Sequence, residues 1–229
     1  MFLGLTSLLA FACQSPAAVV VINNLASGTQ SFAESLSGPD GQDFFGDPFA
    51  DHEIAFSFTT GSVNSLLTEL AFVASIGGDG TSPIRLDLSL GSTAPGGTNP
   101  NIIGAATPSG STPITQLLTV TPGSSVLLLA NTQYWLLFTV PVGNDVYSIH
   151  NTNTPTLAPG WSLGTTWRTE PGVPWEEINS SLFPRVRMTV EESIPEPSAL
   201  VFSTSSLLLL FRRKRRQCTL AELHQHHPA

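Results

Sequence analysis

Ile84-Arg85-Leu86-Asp87-Leu88-Ser89-Leu90 (IRLDLSL) alternates apolar and polar residues without a break. In an extended chain successive side chains point to opposite faces, so Ile84, Leu86, Leu88 and Leu90 share one face and Arg85, Asp87 and Ser89 the other. The stretch predicts a half-buried strand. Residues 54–60 alternate in the same way through Ile54, Phe56 and Phe58. Shorter or more continuous apolar runs follow at 66–74, 114–120, 125–130, 134–140, 146–150 and 186–190, each bounded by turn-forming residues. Residues 70–75 could be read as helix, but their neighbours favour strand. About eight short strands with Gly and Pro punctuation, and no long helical period, predict an antiparallel β-sandwich of jelly-roll type.

Outward from this core the composition changes. The chain has 229 residues, with 9 Lys+Arg against 17 Asp+Glu. Five of the nine cations are consecutive, Arg212, Arg213, Lys214, Arg215 and Arg216. Between Val19 and Ser193 four cations face fifteen acids, a net charge of −11. A field of that sign repels phosphate backbones, which argues against nucleic acid as a partner. Both cysteines, Cys13 and Cys218, fall in the terminal segments, so the middle must be stable without a disulfide. Roughly 170 residues suffice, burying about 70% of the surface that the unfolded chain exposes.

The N-terminal segment MFLGLTSLLAFACQSPAA is apolar to Cys13 and then small and turn-rich. It reads as a secretory signal peptide over residues 1–18, cleaved after Ala17 or Ala18, although no Lys or Arg precedes the apolar run. The alternative is a buried N-terminal strand or helix. At the other end the uncharged run Ser198 to Phe211 lies between Pro195-Glu196-Pro197 and the five cations. As a helix it would rise about 21 Å, short of a hydrocarbon core of about 30 Å. Snorkelling arginine stems and local thinning would let it span, and the cations would then stay on the cytoplasmic side.

The series Pro195-Glu196-Pro197, apolar run and Arg-rich end resembles the PEP-CTERM sorting signal of exosortase substrates in Gram-negative bacteria. The resemblance implies an inner-membrane precursor, delivered by the Sec translocon. It also implies that exosortase cuts near the PEP motif and passes the protein to the cell surface or extracellular matrix. The domains expected are a signal peptide (1–18), an ectodomain (19–193), a sorting signal with a short membrane helix (194–216) and a polar tail with His224, His226 and His227 (217–229). LLLANTQYWLLF at 127–138, Gly160-Trp161-Ser162 and Phe183-Pro184-Arg185-Val186 are similar to the choice-of-anchor ectodomains, type R in particular. That likeness implies a β-sandwich and no assigned chemistry.

Three candidate sites stand out. Asp40, Asp43, Asp47, Asp51 and Glu53 fall in a Gly- and Pro-rich stretch that could hold Ca²⁺ through carboxylate and carbonyl oxygens. The competing reading is a solvated loop pinned down by Phe44, Phe45 and Phe49. Trp167 and Trp175, in the expected loop TTWRTEPGVPWEE, could stack on sugar rings while Arg168, Glu176 and Glu177 bond hydroxyls; Trp135 reads as core. Glu170, Glu176 and Glu177 show no spacing that identifies a glycosidase pair. His52 and His150 stand near no nucleophile-elbow serine. The sequence therefore names no catalytic residue and no cofactor beyond Ca²⁺. It favours a structural or adhesive component of the exopolysaccharide layer, with a carbohydrate-binding module as the alternative and a glycan-active enzyme third.

Overall fold

A computed structural model describes residues 17–26, 33–39, 52–76, 80–91, 95, 101–110, 114–143, 145–169, 173–179 and 182–192. Pro195, Glu196, Pro197, the five cations and the acids Asp40, Asp43, Asp47 and Asp51 lie outside them. The described chain is all-β, in fifteen strands: β1 (Ala18–Asn23), β2 (Ala33–Ser37), β3 (Glu53–Thr59), β4 (Ser65–Ile76), β5 (Ile84–Leu90), β6 (Asn101–Ala106), β7 (Thr115–Val120), β8 (Val126–Leu128), β9 (Gln133–Thr139), β10 (Val146–Thr152), β11 (Thr156–Leu157), β12 (Ser162–Thr169), β13 (Glu176–Asn179), β14 (Phe183–Pro184) and β15 (Val186–Glu192). Strands occupy all eight predicted regions, and β1, β2, β6, β11, β12, β13 and β14 are additional.

The strands form two antiparallel sheets packed as a sandwich. The nine-stranded sheet runs β11-β1-β15-β4-β10-β14, with β2 also on β10 and with β7 and β8 on β4. The six-stranded sheet runs β13-β12-β3-β9-β5-β6. The twelve-residue β4 organises the first sheet. One of its edges takes β15 and then β10, and the other takes β8 and then β7. Its continuous apolar run now has a reason, because Ala71 and Val73 are buried on the face opposite Leu70 and Phe72.

The main core lies between the sheets. Leu70, Phe72, Ala74 and Ile76 of β4 oppose Ile54, Phe56 and Phe58 of β3 and Tyr134, Leu136 and Phe138 of β9. Phe72 meets Phe138 edge to face across the gap, with ring centroids 5.3 Å apart, and Phe58 stacks on Trp161 at 6.1 Å. Such pairs add about 0.5–1.5 kcal/mol beyond the area they bury. At one side the sheets approach so closely that a Cβ on Gly104 would lie 2.7 Å from Val120 Cγ1, so β6 needs glycine there.

The two ends of the sandwich are side by side. β1 pairs with β15 in a register that sets Ala18 against Glu191, and β11 covers the other edge of β1. Asn24 then mends the break in the last strand. Pro184 has no N–H and Arg185 interrupts the ladder, but Asn24 Nδ2 donates to the Pro184 carbonyl (2.7 Å) and Asn24 Oδ1 accepts from Val186 N (2.8 Å). The side chain stands in for a missing piece of backbone.

Candidate functional site

The six-stranded sheet has a second buried face. Period two sends Ala55 and Ser57 of β3, Trp135, Leu137 and Thr139 of β9, and Asp87 and Ser89 of β5 away from the main core. All seven are nonetheless less than 5% exposed. This corrects the half-buried reading of IRLDLSL, whose polar face was expected to meet water. Ala55, Trp135 and Leu137 form a separate apolar cluster, against which Trp167 and Trp175 pack.

Trp167 is not in a loop. It belongs to β12, where it lies opposite Ala55 of β3 and Glu177 of β13. The run LGTTWRT is rich in β-branched Thr, which suits a strand. Register shifts between Leu163 and Thr166 and between Thr166 and Trp167 hide its alternation from a reading by period. Trp167 meets Trp135 edge to face and donates its Nε1–H to Thr165 Oγ1 (2.7 Å). Trp135 is buried as expected, but in this outer cluster rather than in the main core.

The same alternation separates residues that the sequence reading had grouped. Arg168 lies opposite Ile54, a core-facing position, and opposite Glu176. Arg168 and Glu176 are therefore on the other face of the hairpin from Trp167 and Glu177. Arg168 Nε and Nη2 each reach Glu176 Oε1 at 2.8 Å. The pair lines a cleft of about 190 Å³ with Thr169, Val173 and Pro174. Glu34 is influenced from the same side: burial raises its pKa, and the positive charge of Arg168 partly offsets this.

Across β5 and β9 the outer face carries hydrogen-bonding groups without partners. Arg85 Nε (2.9 Å) and Nη2 (2.8 Å) both bind Asp87 Oδ2, which leaves Oδ1 unpaired. Ser89 Oγ, Trp135 Nε1 and Thr139 Oγ1 are also buried and unpaired. Ser89 is the cross-strand neighbour of Trp135, Asp87 that of Leu137 and Arg85 that of Thr139, so the four atoms belong to one patch. An unsatisfied buried group costs about 1–3 kcal/mol. Four would cost about 4–12 kcal/mol, on the scale of the ~5–15 kcal/mol that stabilises a whole domain.

Away from this patch Asn151 Oδ1 on β10 is also buried and unpaired, whereas one buried carboxylate is fully engaged. The Asp145 carboxylate sits in a nest of backbone donors: Gly80 N reaches Oδ1 at 2.9 Å, while Thr81 N (2.9 Å) and Ser82 N (2.5 Å) reach Oδ2. Gly80 turns its N–H inward at φ +66°, a conformation that favours glycine. Burial works to raise the Asp145 pKa, but the hydrogen bonds from Ser82, Gly80 and Thr81 outweigh it and hold the carboxyl below its ordinary range. Tyr147 donates to the Ser82 carbonyl (2.6 Å), and burial followed by the Asp145 charge pushes its hydroxyl pKa up. This clamp joins the β4–β5 and β9–β10 connections and was not foreseen from the sequence; the signal was a glycine two residues before an acid, in VGND.

His150 is tied to β4. Its Nε2 is 2.6 Å from Ser75 Oγ, which is 2.8 Å from Thr115 Oγ1, so one small network links β10, β4 and β7. Burial, and then the charge of Arg185, lower the pKa of His150. Ser75 is paired on both sides, with Ser148 and with Thr115, so its strand offers no turn that would free backbone N–H groups to stabilise an oxyanion. His52 lies at the foot of β3, where its N–H meets Ser37 Oγ at 3.2 Å.

Among the described residues no group of three or more His, Cys, Asp or Glu is placed to hold a metal ion. Among the described residues no helix is long and apolar enough to cross a membrane. The fold and this outer face define the class, an all-β antiparallel sandwich protein with a second buried face. No protein-family model matches the chain, and no curated protein is similar enough to count as a relative.

Proposed function

We propose that this protein is exported and sorted to the cell surface or extracellular matrix of a Gram-negative bacterium, where the sandwich is a structural or adhesive component of the exopolysaccharide layer. The observation that carries this reading is the pairing of Val19, the first residue of the expected ectodomain, with Val190 in the last strand. Cleavage after Ala17 would leave β1 whole, cleavage after Ala18 would remove only its first residue, and the last strand ends three residues before Pro195, so both processing points lie at the margins of the body. A first strand paired on both edges suits a chain that starts there after cleavage. A winding that crosses repeatedly between the sheets supports reading the sandwich as jelly-roll-like and as a choice-of-anchor ectodomain. The Sec translocon would deliver the precursor, the short apolar helix and Arg212, Arg213, Lys214, Arg215 and Arg216 would hold it in the inner membrane, and exosortase would cut near Pro195-Glu196-Pro197.

The test replaces Pro195, Glu196 and Pro197 with alanine. Full-length precursor should then accumulate in the inner membrane, while the unaltered protein reaches the surface as a shorter form without its basic tail. Normal maturation of the variant would refute exosortase processing.

A second reading, a carbohydrate-binding module, is favoured by the cluster of Trp135, Trp167 and Trp175 on one sheet face. Sheet faces bearing tryptophan offer flat apolar area beside polar groups, which is what a sugar ring presents in return. Retention on polysaccharide gels, lost when Trp167 and Trp175 are replaced, would support it. Failure of every gel to retain the protein would remove it.

A further inference from the structure

We propose that the outer face of the six-stranded sheet binds a neutral saccharide, whose hydroxyls complete the hydrogen bonding of Asp87, Ser89, Trp135 and Thr139. The proposal rests on the carbohydrate-binding reading and assigns it a polar half. Four side-chain atoms on two adjacent strands are buried and unpaired: a carboxylate oxygen, an indole N–H and two hydroxyls. Together they offer one obligate acceptor, one obligate donor and two groups that do either. A polyol matches that mixture because each of its hydroxyls both donates and accepts.

Charge narrows the class further. Arg85 already neutralises Asp87 at 2.8 Å, so the patch has no surplus charge to select an anion or a cation. Next to it lies the apolar half, in which Trp167 and Trp175 are only partly buried. Sugar rings would lie on these indoles while hydroxyls reach inward to Ser89 and Asp87. The four polar atoms are out of contact with solvent in the free protein. Binding therefore requires local opening, and association should be slower than the roughly 10⁵–10⁷ M⁻¹s⁻¹ usual for preformed sites.

The experiment titrates the purified full chain with neutral hexasaccharides of β-1,4-glucose, β-1,3-glucose, α-1,4-glucose and β-1,4-mannose in a calorimeter. Ser89→Ala and Thr139→Val are compared with Thr115→Val on the other sheet. The unaltered protein should bind at least one hexasaccharide, Ser89→Ala and Thr139→Val should each weaken it roughly 3- to 10-fold, and Thr115→Val should leave it unchanged. Without sugar, the first two variants should melt at or above the temperature of the unaltered protein, because each removes an unpaired buried hydroxyl, Ser89→Ala leaving hydrogen and Thr139→Val a methyl group in its place. If no hexasaccharide binds, both the proposal and the carbohydrate-binding reading fall. If sugar binds and Trp167→Ala abolishes it while Ser89→Ala and Thr139→Val bind normally, the carbohydrate-binding reading stands and the polar half is wrong. A lowered melting temperature with unchanged binding would mean that the hydroxyls serve the fold alone, which also overturns the proposal.

Discussion

Trp135 and Trp167 meet edge to face, with centroids 5.8 Å apart and planes at 75°, on the side of the six-stranded sheet turned away from the main core. Trp135 is 2% exposed whereas Trp167 is only partly buried. The pair therefore joins a buried ring on β9 to a strand near the edge of the same sheet, with β3 between them.

Trp135→Ala should cost about 3–5 kcal/mol through lost burial and the cavity left behind. Trp167→Ala should cost less, since the residue is only partly buried. Urea unfolding of both single variants and the double variant should give a coupling of about 0.5–1.5 kcal/mol. Strict additivity would mean that the ring contact contributes nothing.

Asp145→Asn should be the most damaging polar substitution among the described residues. It removes the charge that Gly80, Thr81 and Ser82 surround, at a cost of about 2–4 kcal/mol. For a domain of this size that lowers the melting temperature by about 5–15 °C. The folded pKa lies below the unfolded one, so this stability is present above the unfolded value near 3.9 and is lost as pH falls through the folded value. The gap between the variant and the unaltered protein should close in strong acid. A gap that persists undiminished there would exclude the carboxylate as its source.

Glu34 has the opposite sign. Its pKa is raised in the folded state, so the stability linked to it is complete below the unfolded value and declines as pH rises through the folded value. Glu34→Gln should therefore melt higher than the unaltered protein at pH 7 and no higher at pH 3. Thermal scans at the two pH values decide the matter, and equal shifts at both would show that the effect is not ionic.

Removing residues 18–23 should prevent folding rather than merely fray an end. β1 is paired on both sides, and Val21 and Ile22 are at most 1% exposed. Circular dichroism of the truncated protein should show no cooperative melt. A cooperative melt near that of the intact chain would make β1 dispensable.

Much of the fold was legible where side chains alternate cleanly. Ile84–Leu90 and the run through Ile54, Phe56 and Phe58 declare strands because one face meets the main core. β1 was hidden because AVVVIN runs on from an apolar leader, and β12 because register shifts break its alternation beside Gly164 and Thr165. Of the candidate site, the tryptophans were visible as residue types, but the partners given to them were not. Arg168 and Glu176 adjoin Trp167 and Trp175 in the chain, yet strand geometry turns them to the opposite face. Asp87 and Ser89 read as solvent-facing because they are polar.

Local chemistry, then, was enough to determine that this is an antiparallel all-β body, since the period of apolar residues depends only on how a strand points its side chains. The same is true of its acidic charge and its lack of a disulfide, which need no coordinates. Only tertiary structure decided that β1 closes against β15, that Asp145 occupies a nest of three amides, and that β3, β9 and β5 at the centre of one sheet carry buried side chains on both faces. Each of these depends on residues far apart in the chain meeting in space. Trp135, Ser89 and Asp87 become a site only because β9 is hydrogen-bonded beside β5, and no spacing along the sequence encodes that neighbourhood.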